Sequence, residues 1–284
     1  MSTLTPFPDM SPVPRVLVEV QPGEFPAGAV TVSLSRTAEG RSFAVRGGQR
    51  LPAGSPAVVV DAEAPFGVVS SYTVLGFDAA GNMVGSMPVG SVTLECDLTV
   101  VQQPLDARLS VVVERLWDTG RDVERPTPFD LSWSQGQSLP GLVGLGPRRG
   151  VVGVQWELAV ASHDVADRLQ DTLGDHDQPQ LPVWLIRTPV DKVHPSRTQR
   201  IPRVFFCAVS ELHELDTYRL TDTGQVHFVA TTTEVRPPAP GITSTALTHS
   251  DIKALFTTHT EVKAQYATHS DIKRDTSLIG AGDA

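Results

Sequence analysis

Apolar residues alternate with polar ones in short runs, and turn signals cut those runs every eight to twelve residues. Val16, Val18 and Val20 alternate with Leu17 and Glu19, and Val30, Val32 and Leu34 alternate with Thr31, Ser33 and Ser35. A period of two puts one set of side chains on a buried face and the other toward water, which is the pattern of a half-buried strand. Glu39-Gly40, Gly47-Gly48, Pro65-Phe66-Gly67 and Ala80-Gly81-Asn82 supply the turns. The 37 valines and 26 threonines add β-branched stiffness, and 23 glycines and 23 prolines disfavour long helices. Such a chain of 284 residues is expected to be mostly β, with about two domains.

Charge excludes some partners. The 23 basic and 32 acidic residues leave a net charge of -9, so neither a nucleic-acid partner nor an anionic membrane surface is expected. The opening stretch MSTLTPFPDMSPVPRV has no apolar signal core, and no run of about 18 apolar residues occurs. The reading is a protein made in the cytosol, outside the secretory route, without membrane insertion. Cys96 and Cys207 lie far apart and are expected to be two buried free thiols.

Composition divides the chain into five segments. Residues 1–12 are proline-rich and read as an extended arm. Residues 13–97 hold the short strands of a sandwich. Residues 98–235 form a second β unit with a strand at 150–160, a helix opened by the cap Ser162 and closed at Gly174, and a strand from Pro182. Within it, Thr119 to Pro147 is too long for a plain connection, so it carries a hairpin near Leu131–Trp133 or reaches a neighbour. Arg148 and Arg149 beside it are candidates for contact between subunits. Residues 236–243 are a stiff proline-rich linker.

After the linker, three copies of a ten-residue repeat follow: THSDIKALFT, THTEVKAQYA and THSDIKRDTS. Thr248 with Asp251, Thr258 with Glu261 and Thr268 with Asp271 have the spacing of capping boxes. Apolar pairs follow at spacing four, Ile252 with Phe256 and Val262 with Tyr266, while Ile272 keeps only the first member. On one straight helix ten residues fall about 80° short of three turns, so these pairs would drift apart. Residues 244–284 are therefore expected to form short, separately capped helices that order against a partner surface. The same drift keeps His249, His259 and His269 from converging on a metal.

No catalytic signature emerges. His213-Glu214 lacks a second zinc-binding histidine, Asp175-His176-Asp177 reads as a solvated turn, and Gly144-Leu-Gly146 opens no helix for a phosphate. No Gly-x-Ser-x-Gly occurs. The expectation is a structural or binding protein without enzyme activity, cofactor or metal.

Two resemblances sharpen this expectation. YTVLGFDAAGNMVGS resembles the last two strands of a fibronectin type III domain, with Tyr72 as the tyrosine whose hydroxyl bonds back to the preceding loop. The chain as a whole resembles minor tail proteins of long-tailed phages that infect actinobacteria. The resemblance rests on RTAEGRSFAVRGG, EAPFGVVSSYTVLGFDAAGN, QQPLDARLSV, GPRRGVVGVQWELAVASHDVADRLQDTLG, EVRPPAPG and the Thr-x-x-Asp-Ile type of repeat. In this chain His stands second in each repeat, where the family pattern would have an aromatic. The resemblance implies a structural subunit of the virion tail tip or baseplate, assembled in the host cytoplasm as a homo-oligomeric ring or trimer. It also implies a middle domain like the tail-tube and distal-tail fold, a β-sandwich or barrel with one flanking helix. Its partners would be other tail proteins and a host cell-surface glycan. The competing reading is a stand-alone cell-surface or carbohydrate-binding β-sandwich protein.

Overall fold

The computed structural model describes residues 2–116, 119–136, 138–144, 146–176, 179–190, 200–215 and 225–240, and 252, 253, 255, 256, 258–266 and 272 of the C-terminal region. The fold is mostly β.

The first unit is a sandwich of two antiparallel sheets. One holds β1 (Thr3–Phe7), β2 (Arg15–Val20) and β6 (Ala57–Asp61) in that order. The other runs β4 (Arg41–Ala44), β3 (Thr31–Ala38), β7 (Val69–Phe77) and β8 (Met83–Thr93), with β5 (Leu51–Pro52) also on β3. The alternation sorts the side chains only in part, because Val30 is exposed while Leu17 and Ser33, read as the polar face, are buried. Val16, Val18 and Val20 from one sheet and Val32, Leu34, Tyr72 and Val74 from the other are buried in one core. The segment read as an arm is extended, but it does not stand off: Thr3 to Phe7 pairs with Glu19 to Arg15 as an outer strand of the first sheet.

The second unit is a closed six-stranded barrel. Its strands run β9 (Thr99–Gln103), β10 (Asp106–Arg115), β13 (Val154–Val160), β16 (Val226–Glu234), β15 (Val204–Leu215) and β14 (Val183–Arg187), and β9 returns to β10. Trp156, Leu158, Trp184, Ile186, Phe205 and Phe228 fill it, with the Trp156 and Phe205 rings 5.7 Å apart. One helix, α1 (His163–Asp171), covers the side of β10. Ser162 caps it by accepting from the Val165 amide, and Gly174 adopts φ 73° just beyond its end. Ala166 and Leu169 turn into the barrel core, while Val165 and Leu173 pack at its margin. Thr172 accepts from Trp184 Nε1 at 2.7 Å and donates to the Leu169 carbonyl at 2.6 Å, tying the helix end to the core.

Buried arginines join the two units. Arg187 on β14 is fully buried and donates to the Pro14 and Ala64 carbonyls at 2.8 and 3.0 Å and to Gln102 Oε1 at 2.8 Å. It lies 4.5 Å from the centre of the Phe66 ring. Burial in this apolar seam pulls its pKa down to about 9. Arg203 pairs with Glu39 at 2.8 Å, and Arg41 pairs with Glu234 at 3.1 Å. The proline-rich linker is pinned as well. Arg46 donates to the Pro238 and Ala239 carbonyls, and the Gly47 amide to that of Pro240.

Candidate functional site

The Thr119–Pro147 loop contains a two-stranded hairpin. β11 (Asp130–Ser132) and β12 (Gly141–Val143) pair with each other and with no other described strand. Leu131 lies opposite Leu142, which puts both on one face. Phe129 and Trp133 fall on that face by the period of a strand. None of the four is covered: Trp133 is 66% exposed, and the others are more than half exposed. Between Pro126 and Pro147 the only charged residue is Asp130. This exposed apolar face is of the kind that marks interaction surfaces. The local signal was the apolar set at 129, 131, 133 and 142, which sequence reading took only as a hairpin or a reaching loop.

Arg148 and Arg149, the expected inter-subunit contacts, stand exposed at the root of this hairpin. Arg148 Nε donates to the Arg125 carbonyl at 3.3 Å, and the Arg149 amide to that of Pro126 at 3.0 Å. These bonds tie the returning chain to the outgoing one.

The second candidate is the C-terminal repeat. In the middle copy, α2 (His259–Gln265) has the expected capping box. Thr258 Oγ1 accepts from the Glu261 amide, and Glu261 Oε2 accepts from the Thr258 amide, both at 3.3 Å. The Tyr266 amide bonds to the Val262 carbonyl and the Phe256 amide to the Ile252 carbonyl, both at 2.9 Å, so the first two apolar pairs close the same turn. Val262 and Ile272 are buried against Ile252, Phe256 and Tyr266, and the Phe256 and Tyr266 rings meet edge to face at 6.1 Å. Residues of all three copies thus share one small cluster. Drift is avoided because α2 ends at Tyr266 in an extended conformation, which breaks the helix between copies. Thr248, Asp251, Thr268 and Asp271 lie outside the described residues.

Tyr72 is the fourth residue of β7 and does not open the strand, and its hydroxyl finds its acceptor on β6 and not in the preceding loop. Its hydroxyl donates to Asp61 Oδ2 at 2.8 Å, at the end of β6, and not to a backbone carbonyl. Asp61 also accepts from Arg36 Nη1 at 2.6 Å and from the Glu63 amide at 3.0 Å. Burial and the adjacent Asp61 charge push the Tyr72 phenol far above its ordinary value. Burial opposes the Arg36 charge, and Asp61 more than offsets it, so Arg36 is raised. Glu63, bonded to Arg46 Nε at 2.7 Å, has its carboxyl pushed up by burial despite Arg46 and Arg36 beside it. This buried network spans the two sheets, from Arg36 on β3 and Tyr72 on β7 to Asp61 on β6.

Neither cysteine pairs. Cys207 is fully buried, and burial pushes its thiol up. Cys96 is only half-buried at the sandwich margin, which corrects the expectation for that residue. Among the described residues, no three His, Cys, Asp or Glu side chains cluster as metal ligands. A groove of about 450 Å³ along β10 and β13 is lined by residues such as Leu98, Val112, Glu114 and Val160. Among the described residues, no helix is long and apolar enough to cross a membrane. Compared with protein-family models, curated proteins and solved structures, the chain matches none.

Proposed function

We propose that the protein is a non-enzymatic structural subunit of a phage virion tail tip or baseplate. In this reading it assembles with copies of itself as a ring or trimer, joins the tail tube to the tip proteins, and supports host adsorption. The observation that carries the proposal is the β11–β12 hairpin: a charge-poor element whose apolar face has no cover among the described residues. A two-stranded hairpin in water is marginal, and packing on another subunit supplies what it lacks. The barrel holds the hairpin's root and the buried arginines lock barrel to sandwich, so the subunit can transmit position through a tail. The C-terminal repeats add a second element for docking, and the order of sequence segments points to the same class.

The alternative, a stand-alone carbohydrate- or cell-surface-binding protein, draws on Trp133, since an exposed indole face can stack on a sugar ring. Particle mass and location separate the two. The structural reading expects a stable oligomer in solution and labelled protein at the distal end of virion tails by negative-stain imaging. A monomer that binds host wall polysaccharide by itself would replace it with the alternative. Deleting residues 242–284 tests the repeats: virions that incorporate the truncated protein normally would remove their docking role.

A further inference from the structure

A second surface on the same chain matches the hairpin. β8 is the outer strand of its sheet, so among the described residues one side of its backbone has no strand to bond. From Ala79 to Leu94 the chain has no charged residue at all. Natural edge strands are guarded by charge, by proline or by bulges, because an open edge recruits other strands. Here the guards sit in one half only. Pro88 interrupts the strand, the register shifts beside it, and Leu4 of β1 leans over Gly90. The other half, Met83 to Met87, keeps an open edge with Met83, Val84 and Met87 exposed.

We propose that the β11–β12 hairpin of one copy adds to the Met83–Met87 edge of β8 on the next copy. This rests on the reading that the chain assembles with itself, and names the surface that receives the hairpin. The hairpin strands are three residues each and the open edge spans five, so one fits the other without forcing Pro88 into the ladder. Joining the two-stranded hairpin to this five-stranded sheet makes a sheet of seven strands and covers Leu131 and Trp133 with the exposed methionines. Electrostatics favours this pair of surfaces. Copies carrying a net charge of -9 repel each other, and two nearly charge-free segments meet with almost no ion to desolvate. The two patches differ, so the contact is head-to-tail, the type that closes a ring when the rotation allows.

The test uses the full chain with Cys96→Ser to remove the half-buried thiol. One preparation carries Val84→Cys, another Ser132→Cys, and they are mixed and treated with a short bis-maleimide. Native mass is measured first on unmodified protein. The expected result is an oligomer that yields crosslinks between residues 84 and 132 in the mixture. An oligomer crosslinked mainly 84 to 84 means two-fold pairing of β8 edges and overturns the inference, as does an oligomer with no crosslink to 84. A protein that stays monomeric at micromolar concentration overturns the assembly reading itself. Val84→Lys is the second measurement. Its side chain is exposed, so the melting curve of the monomer should be unchanged, while the concentration for half-assembly rises about tenfold or more. Unchanged assembly of this variant would also overturn the inference.

Discussion

Replacing Tyr72 with phenylalanine removes one oxygen from the most enclosed polar site in the sandwich and leaves the ring in its place. Asp61 has three donors: Arg36 Nη1 at 2.6 Å, Tyr72 Oη at 2.8 Å and the Glu63 amide at 3.0 Å. Both Tyr72 and Asp61 are about 1% exposed, so water cannot replace the lost donor. A hydrogen bond to a charged group contributes roughly 1.5–3 kcal/mol, and the vacated volume is too small to add a large cavity term. The expected loss for Tyr72→Phe is therefore about 2 kcal/mol. If sandwich and barrel unfold together, this corresponds to a melting temperature lower by about 4–8 °C. Urea unfolding at neutral pH, followed by circular dichroism, measures it. The same substitution in an Asp61→Asn background should cost only about 1 kcal/mol, because the acceptor is then neutral. A loss below about 0.5 kcal/mol in the native background would refute the argument, since it would mean that the hydroxyl gains nothing from Asp61 over water.

Other consequences follow from the same geometry. The folded-state carboxyl of Glu63 is raised, so the stability it contributes is fully present below the unfolded value of 4.5 and is lost as pH rises through the folded value. Glu63→Gln cannot ionise, so its stability relative to the native protein should improve with rising pH across that window; a flat or falling difference in denaturant titrations would contradict the assignment. Gly67 sits at φ +64°, and a Cβ there would meet Val190 Cγ2 at 2.8 Å, so Gly67→Ala should destabilise the chain by about 1–3 kcal/mol in thermal unfolding. Thr258→Ala removes the Oγ1 that accepts from the Glu261 amide, leaving the bond from its own amide to Glu261, and should lower the helicity of the repeat segment, a local loss of about 1 kcal/mol read from amide exchange at Glu261.

Much of this architecture was legible in the residues. Period-two valines marked the strands because burial of alternate side chains is a local consequence of the pleat. Ser162 and Gly174 marked the ends of α1 because capping and left-handed backbone are decided within a few residues. The capping box at Thr258 and Glu261 was legible for the same reason. The role of residues 3–7 was not, because strand pairing depends on a partner beyond the local turn, and proline content alone suggested a free arm. The fate of the repeats was also hidden. The drift argument holds for a straight helix, and the break at Tyr266 that lets Ile252, Val262 and Ile272 meet is a turn whose direction no spacing rule predicts.

The sequence alone thus determined a mostly β chain with a sandwich, one capped helix, a long loop and a capped repeat, since each follows from local periodicity, propensity or side-chain chemistry. Only the tertiary structure decided which strands close into a barrel and which acceptor Tyr72 reaches. It also decided that Arg187 lies buried between the two units, and that β8 and the β11–β12 hairpin keep open edges. Those outcomes depend on which distant surfaces come together, and the burial energy that selects them belongs to the pairing and not to either segment.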